Sequence, residues 1–281
     1  MIATTSRPAP TDHPEFHRLL SRPYPAVMGV LNVTPDSFSD GGQFIAPEHA
    51  LAQARRLVAE GADMIDIGAE STRPYGSEPV SADEELHRLR PILGEVVALG
   101  VPVSIDSIKP AVVAWALDNG ACIANDVWGL QRDPGMAGLL AKRNLPVIVM
   151  HNRERADAAI DIMQDIAAFF TRSLAIADRA GISRENIVLD PGIGFGKTPE
   201  QSMTALARLN ELSAFGLPLL VGASRKCFIS SVAPSEPHQR LGGSIAAHLV
   251  AARGGARIIR THDVSETVQA LRVAAAIWDR Q

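Results

Sequence analysis

Eight polar or charged residues each stand at or just beyond the end of a short apolar run: Asn32, Glu70, Asp106, Asn125, His151, Asp190, Ser224 and Arg260. Taken singly, Asp, Asn and Ser at such junctions read equally well as helix N-caps. Taken together, they are the residue types that line a polar binding pocket, if one fold gathers them. Basic residues accompany them at Arg73, Lys226, Arg260 and His262. The runs Gly222–Lys226 and Arg260–His262 place cations after the seventh and eighth apolar runs, where a barrel often binds phosphate. Buried cations need counter-charges, so an anionic substrate group is one expected partner. Internal pairing with Asp106 or Asp190 is the other.

The run Asp190-Pro-Gly-Ile-Gly-Phe-Gly-Lys-Thr198 imitates two nucleotide motifs and satisfies neither. Gly192 stands one residue too close to Gly196-Lys197 for a Walker loop, and the glycines read GxGxG, which is not the dinucleotide fingerprint. What remains is a tight turn under the Asp190 carboxylate, expected to pass close to a ligand. HExxH, EF-hand and GxSxG patterns are absent, and the eight histidines show no metal-ligand spacing. Two further loops are polar and turn-rich, Asn32–Gly42 and Glu70–Gly76. Over a barrel rim such loops act as lids; the plainer reading is surface loop.

The elements that must position these residues are short and regular. Strands are expected at Ala26–Leu31, Met64–Gly68, Val101–Ile105, Ala121–Ala124, Val147–Met150, Ile187–Leu189, Leu217–Val221 and Ala256–Ile259. Between them, apolar residues recur at helical spacing: Leu51, Ala54, Leu57 and Val58; Leu86, Leu89, Leu93, Val96 and Val97; Val264, Val268, Leu271, Ala275 and Trp278. Ser81 with Glu84, and Asp263 with Glu266, resemble capping boxes. Gly61, Gly100, Gly120, Gly181 and Gly216 fall where helices end before the next strand. Eight strand–helix units without hairpin signals predict an α/β fold, a single-domain (β/α)8 TIM barrel with a parallel eight-stranded barrel; a doubly wound open sheet is the alternative.

Composition sets the outer bounds. The 281 residues suit one such barrel over 26–281, preceded by a proline-rich lead-in at 1–25 that is expected to be loosely ordered. A net charge of −4 gives no reason to expect nucleic acid or a membrane as partner. The two cysteines, Cys122 and Cys227, are far apart and fit a reducing cytoplasm rather than a disulfide framework. No apolar stretch reaches the roughly 18 residues of a membrane span.

The stretches MGVLNVTPDSFSDGG (28–42), GAESTRP (68–74), SIDSIKP (104–110), ANDV (124–127), DPGIGFGK (190–197), GASRK (222–226) and RTHDV (260–264) resemble dihydropteroate synthase, in order along nearly the whole chain. The resemblance implies a cytoplasmic transferase of folate biosynthesis. It would join p-aminobenzoate to 6-hydroxymethyl-7,8-dihydropterin pyrophosphate, releasing pyrophosphate. It implies pterin contacts from Asp106, Asn125, Met150, Asp190, Lys226 and Arg260, with Asp106, Lys226 and Arg260 closest to the chemistry. Asn32 would help hold Mg²⁺, and Thr72, Arg260 and His262 would bind the pyrophosphate together with Asn32. Thr72, Arg73, Phe195, Lys226 and Cys227 would line the aminobenzoate slot, and the family implies a homodimer.

Three positions depart from the family pattern: Tyr75 in place of glycine, Asn152–Arg155 in place of a Met-Gln-Gly run, and Cys227 in place of serine. Two other functions use similar residues, a pterin-binding methyltransferase barrel and a non-catalytic pterin-binding paralogue. Residues 34–42, Arg73 and Lys226 favour the synthase, because only the synthase needs a pyrophosphate apparatus.

Overall fold

The structure, a computed structural model, describes residues 13–33, 47–70 and 80–280. Eight parallel strands close on themselves in chain order. They are β1 (Ala26–Asn32), β2 (Met64–Gly68), β3 (Val103–Asp106), β4 (Ile123–Asp126), β5 (Val147–Met150), β6 (Ile187–Asp190), β7 (Leu219–Val221) and β8 (Ala256–Thr261). Closure follows from β1, which pairs with both β2 and β8. The expected barrel is therefore observed, and the open-sheet alternative falls.

Alternation along each strand sorts the side chains. Ile65, Ile67, Val147 and Val149 point outward into the main core, where the surrounding helices cover them. Met28, Met64, Ile123, Ile148, Val188, Leu220 and Ile258 point inward and fill the lower half of the barrel. Two residues further along the chain, the inward positions become Val30, Asp66, Asn125, Met150, Asp190, Gly222 and Arg260. A polar layer therefore sits directly on an apolar one, at the C-terminal ends of the strands.

The helices are α2 (Pro47–Ala59), α3 (Ala82–Leu89), α4 (Leu93–Val97), α5 (Pro110–Asp118), α6 (Pro134–Arg143), α7 (Ile162–Ala180), α8 (Pro199–Ala207), α9 (Cys227–Val232), α10 (Leu241–Arg253) and α11 (Val264–Trp278). A short α1 (Pro14–Leu20) precedes them. The apolar face expected over residues 86–97 is split between α3 and α4 at Pro91, which lacks the N–H that a continuous helix needs. Ser81 caps α3 by accepting from the Glu84 N–H at 3.2 Å. Asp263 makes no side-chain cap on α11, because the Arg225 guanidinium takes its carboxylate. The five glycines expected at helix ends all have positive φ.

Residues 14–20, within the segment expected to be loosely ordered, form a plug. Phe16 and Leu19, 4% and 2% exposed, pack under Met28, Met64 and Ile148 at the bottom of the barrel. Arg257 donates to the carbonyls of Leu20 and Arg22, and Asp63 joins Arg22 to the Val27 N–H. Among the described residues no helix is long and apolar enough to cross a membrane.

Candidate active site

The polar layer centres on Asp66, which sequence reasoning passed over. It stands inside the apolar run Met64–Gly68, yet alternation aims it inward with Met64. Its Oδ2 accepts from Asn125 Nδ2 at 2.9 Å and from Arg260 Nη1 at 3.1 Å. Arg260 Nη2 lies 3.6 Å from Asp190 Oδ2. A Cβ on Gly222 would approach the Arg260 Nε to 3.1 Å, so glycine at this position leaves room for the guanidinium. Asp106 lies beside Asn125 in the β3–β4 register.

This layer is rich in acceptors that lack donors. Asp66 Oδ1, Asp106 Oδ1, Asn125 Oδ1 and Asp190 Oδ2 are buried without a hydrogen-bond partner. An unpaired buried acceptor costs about 1–3 kcal/mol, so four in one layer mark a place for a ligand carrying several N–H donors. Burial, reinforced by the neighbouring Asp66, pushes the Asp106 carboxyl well above its usual range. Burial also raises Asp190, against the pull of Arg260. Arg260 is itself buried, but the surrounding carboxylates outweigh its desolvation and raise it further. The internal pairing of Arg260 is thus real, with Asp66 in the strongest contact.

Beside this layer lies an apolar wall of Val127, Met150 and Phe195. Lys226 Nζ sits 4.1 Å from the centre of the Phe195 ring, a cation–π contact that bridges the wall to the polar layer. Cys227 follows Lys226 at the start of α9 and is exposed.

The glycine-rich turn after β6 is tight, as expected, and packs on the chain that follows β5. A Cβ on Gly192 would collide with the His151 carbonyl oxygen, and one on Gly196 with the Arg153 carbonyl oxygen; both glycines also have positive φ. Its tight spots at Gly192 and Gly196 face the backbone after β5. The Gly192 N–H donates to Asp190 Oδ1 at 2.7 Å, leaving Oδ2 toward Arg260.

On the β7–β8 side, Ser224 Oγ lies 3.0 Å from His262 Nδ1 and accepts from the His262 N–H at 3.2 Å. The Ser224 hydroxyl then donates to Nδ1, which leaves the proton of the neutral ring on Nε2. Burial and the nearby Arg225 and Lys226 lower His262 to about 4, so the ring is neutral at pH 7. Arg225 is not a free cation for substrate. It holds positive φ, its guanidinium binds Asp263, and its carbonyl accepts from Arg240 at 3.0 Å.

Other rim residues turn aside. Glu70 binds Lys109 and accepts from the Val80 N–H at 3.2 Å, while Lys109 also engages the buried Glu85. His151 is committed to Lys197 and Asp165. Asn32 ends β1, level with Gly68 and, through it, with Asp106. In the departure at Asn152–Arg155, Arg153 pairs with Asp165 at 2.9 Å. An open cleft of 520 Å³ beside Arg153, Asp165 and Arg172 includes none of the inward polar residues. Thr72, Arg73, Tyr75 and residues 34–42 lie outside the described residues. Among the described residues, no group of three or more His, Cys, Asp or Glu is arranged to hold a metal.

Comparison with known proteins agrees with this geometry. Residues 28–262 match the family described as pterin binding enzyme. The chain is 41% identical over 255 residues to dihydropteroate synthase of Bacillus subtilis, covering 90% of this chain and 89% of that protein. It is 46% identical over 263 residues to a probable bifunctional folylpolyglutamate synthase/dihydropteroate synthase of Haloferax volcanii, covering 90% of this chain but spanning only 31% of that longer protein. The structure of Xanthomonas albilineans dihydropteroate synthase with 4-aminobenzoic acid superposes with a TM-score of 0.87 at 43% identity, covering 92% of this chain and 94% of that one. With its closed barrel, acceptor-rich inner layer and these relatives, the chain belongs to the dihydropteroate synthase family of pterin-binding enzymes.

Proposed function

We infer that this transferase condenses 6-hydroxymethyl-7,8-dihydropterin pyrophosphate with p-aminobenzoate, giving 7,8-dihydropteroate and pyrophosphate. The observation that carries the reading is the set of four unpartnered acceptors on Asp66, Asp106, Asn125 and Asp190 around one guanidinium. A dihydropterin offers the complement, a guanidine-like edge and ring N–H groups on a flat face. Asp190 takes that edge through Oδ2, Asn125 and Asp106 take ring donors, and Arg260 lies against the ring. Lys226 donates to the pterin carbonyl and faces the aminobenzoate ring beside Phe195.

Departure of pyrophosphate breaks the methylene C–O bond and leaves positive charge on the exocyclic methylene, spread into the electron-rich ring; the aminobenzoate nitrogen then attacks through its lone pair and gives up one N–H proton to solvent. His262 Nε2–H and the Arg260 guanidinium stabilise the leaving group, and the family pattern adds Thr72 there and Arg73 to the aminobenzoate slot. No covalent enzyme intermediate is required; the protein orients two substrates and stabilises developing charge. Asn32 would hold Mg²⁺ through one amide oxygen. This fits a lone amide at the end of β1, since Mg²⁺ keeps waters and takes most of its ligands from the phosphates. The metal would neutralise charge on the departing pyrophosphate.

Exposed Val250 on α10 and Val273 and Ile277 on α11 support a homodimer through the C-terminal helices. Sedimentation of the purified protein tests that assembly. Pyrophosphate release that needs both substrates tests the reaction; a methyltransferase or a binding paralogue gives none.

A further inference from the structure

Lys197 is 6% exposed and is not used by the mechanism above. A buried ammonium is costly unless each N–H finds an acceptor. Here the three donors meet three acceptors: His151 Nδ1 at 2.6 Å, the Gly192 carbonyl at 2.8 Å and the Phe195 carbonyl at 3.2 Å. His151 then has one consistent protonation state. Its Nδ1 lone pair faces the ammonium, and its Nε2–H donates to Asp165 Oδ2 at 3.0 Å. Arg153 Nη1 shares that same Asp165 Oδ2 at 2.9 Å. With Lys197 protonated, the line runs from an ammonium through a neutral imidazole to a carboxylate held by a guanidinium.

The two carbonyls that Lys197 grips belong to the turn that carries the site. Gly192 is held through both of its backbone groups, with its N–H on Asp190 and its carbonyl on Lys197. The Phe195 N–H returns to the same Gly192 carbonyl at 3.0 Å, and the Phe195 ring underlies Lys226. His151 in turn lies where Gly192 presses against its carbonyl. Lys197 therefore joins the end of β5 to both faces of the turn after β6.

We propose that Lys197 is a positioning residue for dihydropteroate synthesis. Its ammonium, seated on His151, fixes the 190–196 turn so that the Asp190 carboxylate meets the pterin edge and the Phe195 ring lines the aminobenzoate slot. This role rests on the synthase reading and on those two substrate assignments. Burial lowers Lys197 to about 7 and His151 to about 4, so the imidazole stays neutral and the ammonium form holds below pH 7, the range in which the variants are compared.

The test pairs two substitutions at His151 with one at Lys197. Lys197→Met keeps length and removes all three donors. His151→Gln keeps an acceptor for Lys197 and a donor for Asp165, whereas His151→Leu keeps neither. Lys197→Met and His151→Leu are expected to raise KM for both substrates by about tenfold or more, with His151→Gln close to wild type. Affinity for inorganic pyrophosphate, measured by calorimetry, should stay within about twofold, because that group binds on the β7–β8 side. Combined with Asp190→Asn, Lys197→Met should add much less than its single effect on kcat/KM, since both act through one carboxylate. Unchanged KM values beside a lowered Tm would overturn the positioning role, as would multiplicative effects in the double variant. If Lys197→Met does not fold, the two His151 variants decide on the same readouts. Wild-type turnover measured alongside separates the two readings. An active wild type with unaffected variants overturns this role alone, whereas a wild type that releases no pyrophosphate overturns the synthase reading and this role with it.

Discussion

Arg260 reaches over β1 to donate to Asp66 at 3.1 Å, and the same carboxylate oxygen accepts from Asn125 at 2.9 Å. Three strands are thus joined through one oxygen atom, beneath the place where substrate would lie. The guanidinium answers first to interior carboxylates, so it is already held flat and charged before any anion arrives. That preorganisation separates Arg260 from His262, whose partner is the Ser224 hydroxyl on the β7–β8 side.

The separation predicts different phenotypes. Arg260→Ala leaves Asp66, Asp106 and Asp190 without their shared cation, so it should weaken a phosphate-free pterin as well as pterin pyrophosphate. His262→Ala removes one Nε2–H and should weaken free pyrophosphate by about 1–3 kcal/mol while leaving the bare pterin alone. Calorimetry with the three ligands checks both; equal losses in the two variants would mean that one site serves both groups.

Asp190→Asn should lose at least about 3 kcal/mol in kcat/KM, because one pterin donor would face an amide donor. The direction follows from the turn. The Gly192 N–H claims one oxygen of Asp190, so an asparagine keeps its carbonyl there and turns its NH₂ into the site. Steady-state kinetics on the purified variant decides it. A kcat/KM near wild type would remove Asp190 from the pterin edge.

The barrel was legible because each strand is a short apolar run and each helix between them carries one apolar face. Strand limits were less so. β3 and β4 begin two residues later than their apolar runs and extend to Asp106 and to Asn125 and Asp126, since pairing follows backbone hydrogen bonds and tolerates inward polar ends. Asp66 was hidden by its apolar neighbours, though the alternation of Met64, Asp66 and Gly68 carried the signal. Lys197, His151 and Asp165 come from three separate segments and have no local pattern; only the closure of β5 against β6 brings them together. The plug helix was missed because its two anchors, Phe16 and Leu19, sit among polar residues and prolines.

That plug gives a stability prediction independent of the chemistry. Phe16→Ala should cost about 3 kcal/mol by opening a cavity under Met28 and Met64, with kcat/KM unchanged because the active layer lies at the opposite end. Urea unfolding monitored beside turnover checks this. A loss of activity matching the loss of stability would show that the two ends of the barrel are coupled.

Buried histidines set a pH signature. Burial lowers His248 to about 4 from its ordinary 6.5, so the unfolded chain takes up its proton first as pH falls. Stability from the neutral ring is therefore complete above pH 6.5 and is lost progressively as pH drops toward 4, by about 2 kcal/mol at pH 5. His151 and His262 act in the same direction, while the raised Asp106 and Asp190 act against it, so the total slope mixes opposing groups. The difference between wild type and His248→Gln isolates one ring. The variant's stability relative to wild type should improve by about 2 kcal/mol between pH 7 and pH 5, read from urea midpoints. A constant difference across that range would show that His248 does not titrate as described.

Cys227 offers the narrowest test of the aminobenzoate slot. The family pattern places a serine here, whose hydroxyl would help bind the aminobenzoate carboxylate, and a thiol is a weaker donor. The thiol is exposed at the first turn of α9, beside Lys226, so no packing argument requires sulfur at this position. The backbone N–H of residue 227 is a further donor at the start of the helix, and it is the same in either variant. Cys227→Ser should therefore lower KM for p-aminobenzoate by about one neutral hydrogen bond, about 1 kcal/mol or roughly fivefold, without changing KM for the pterin. Exposure also predicts little change in Tm. Kinetics with each substrate varied in turn, beside a thermal melt, decides the matter. A KM for p-aminobenzoate that does not move would place the carboxylate on the backbone and on the preceding loop alone. A fall in Tm with unchanged KM would show that the sulfur packs against α9 after all.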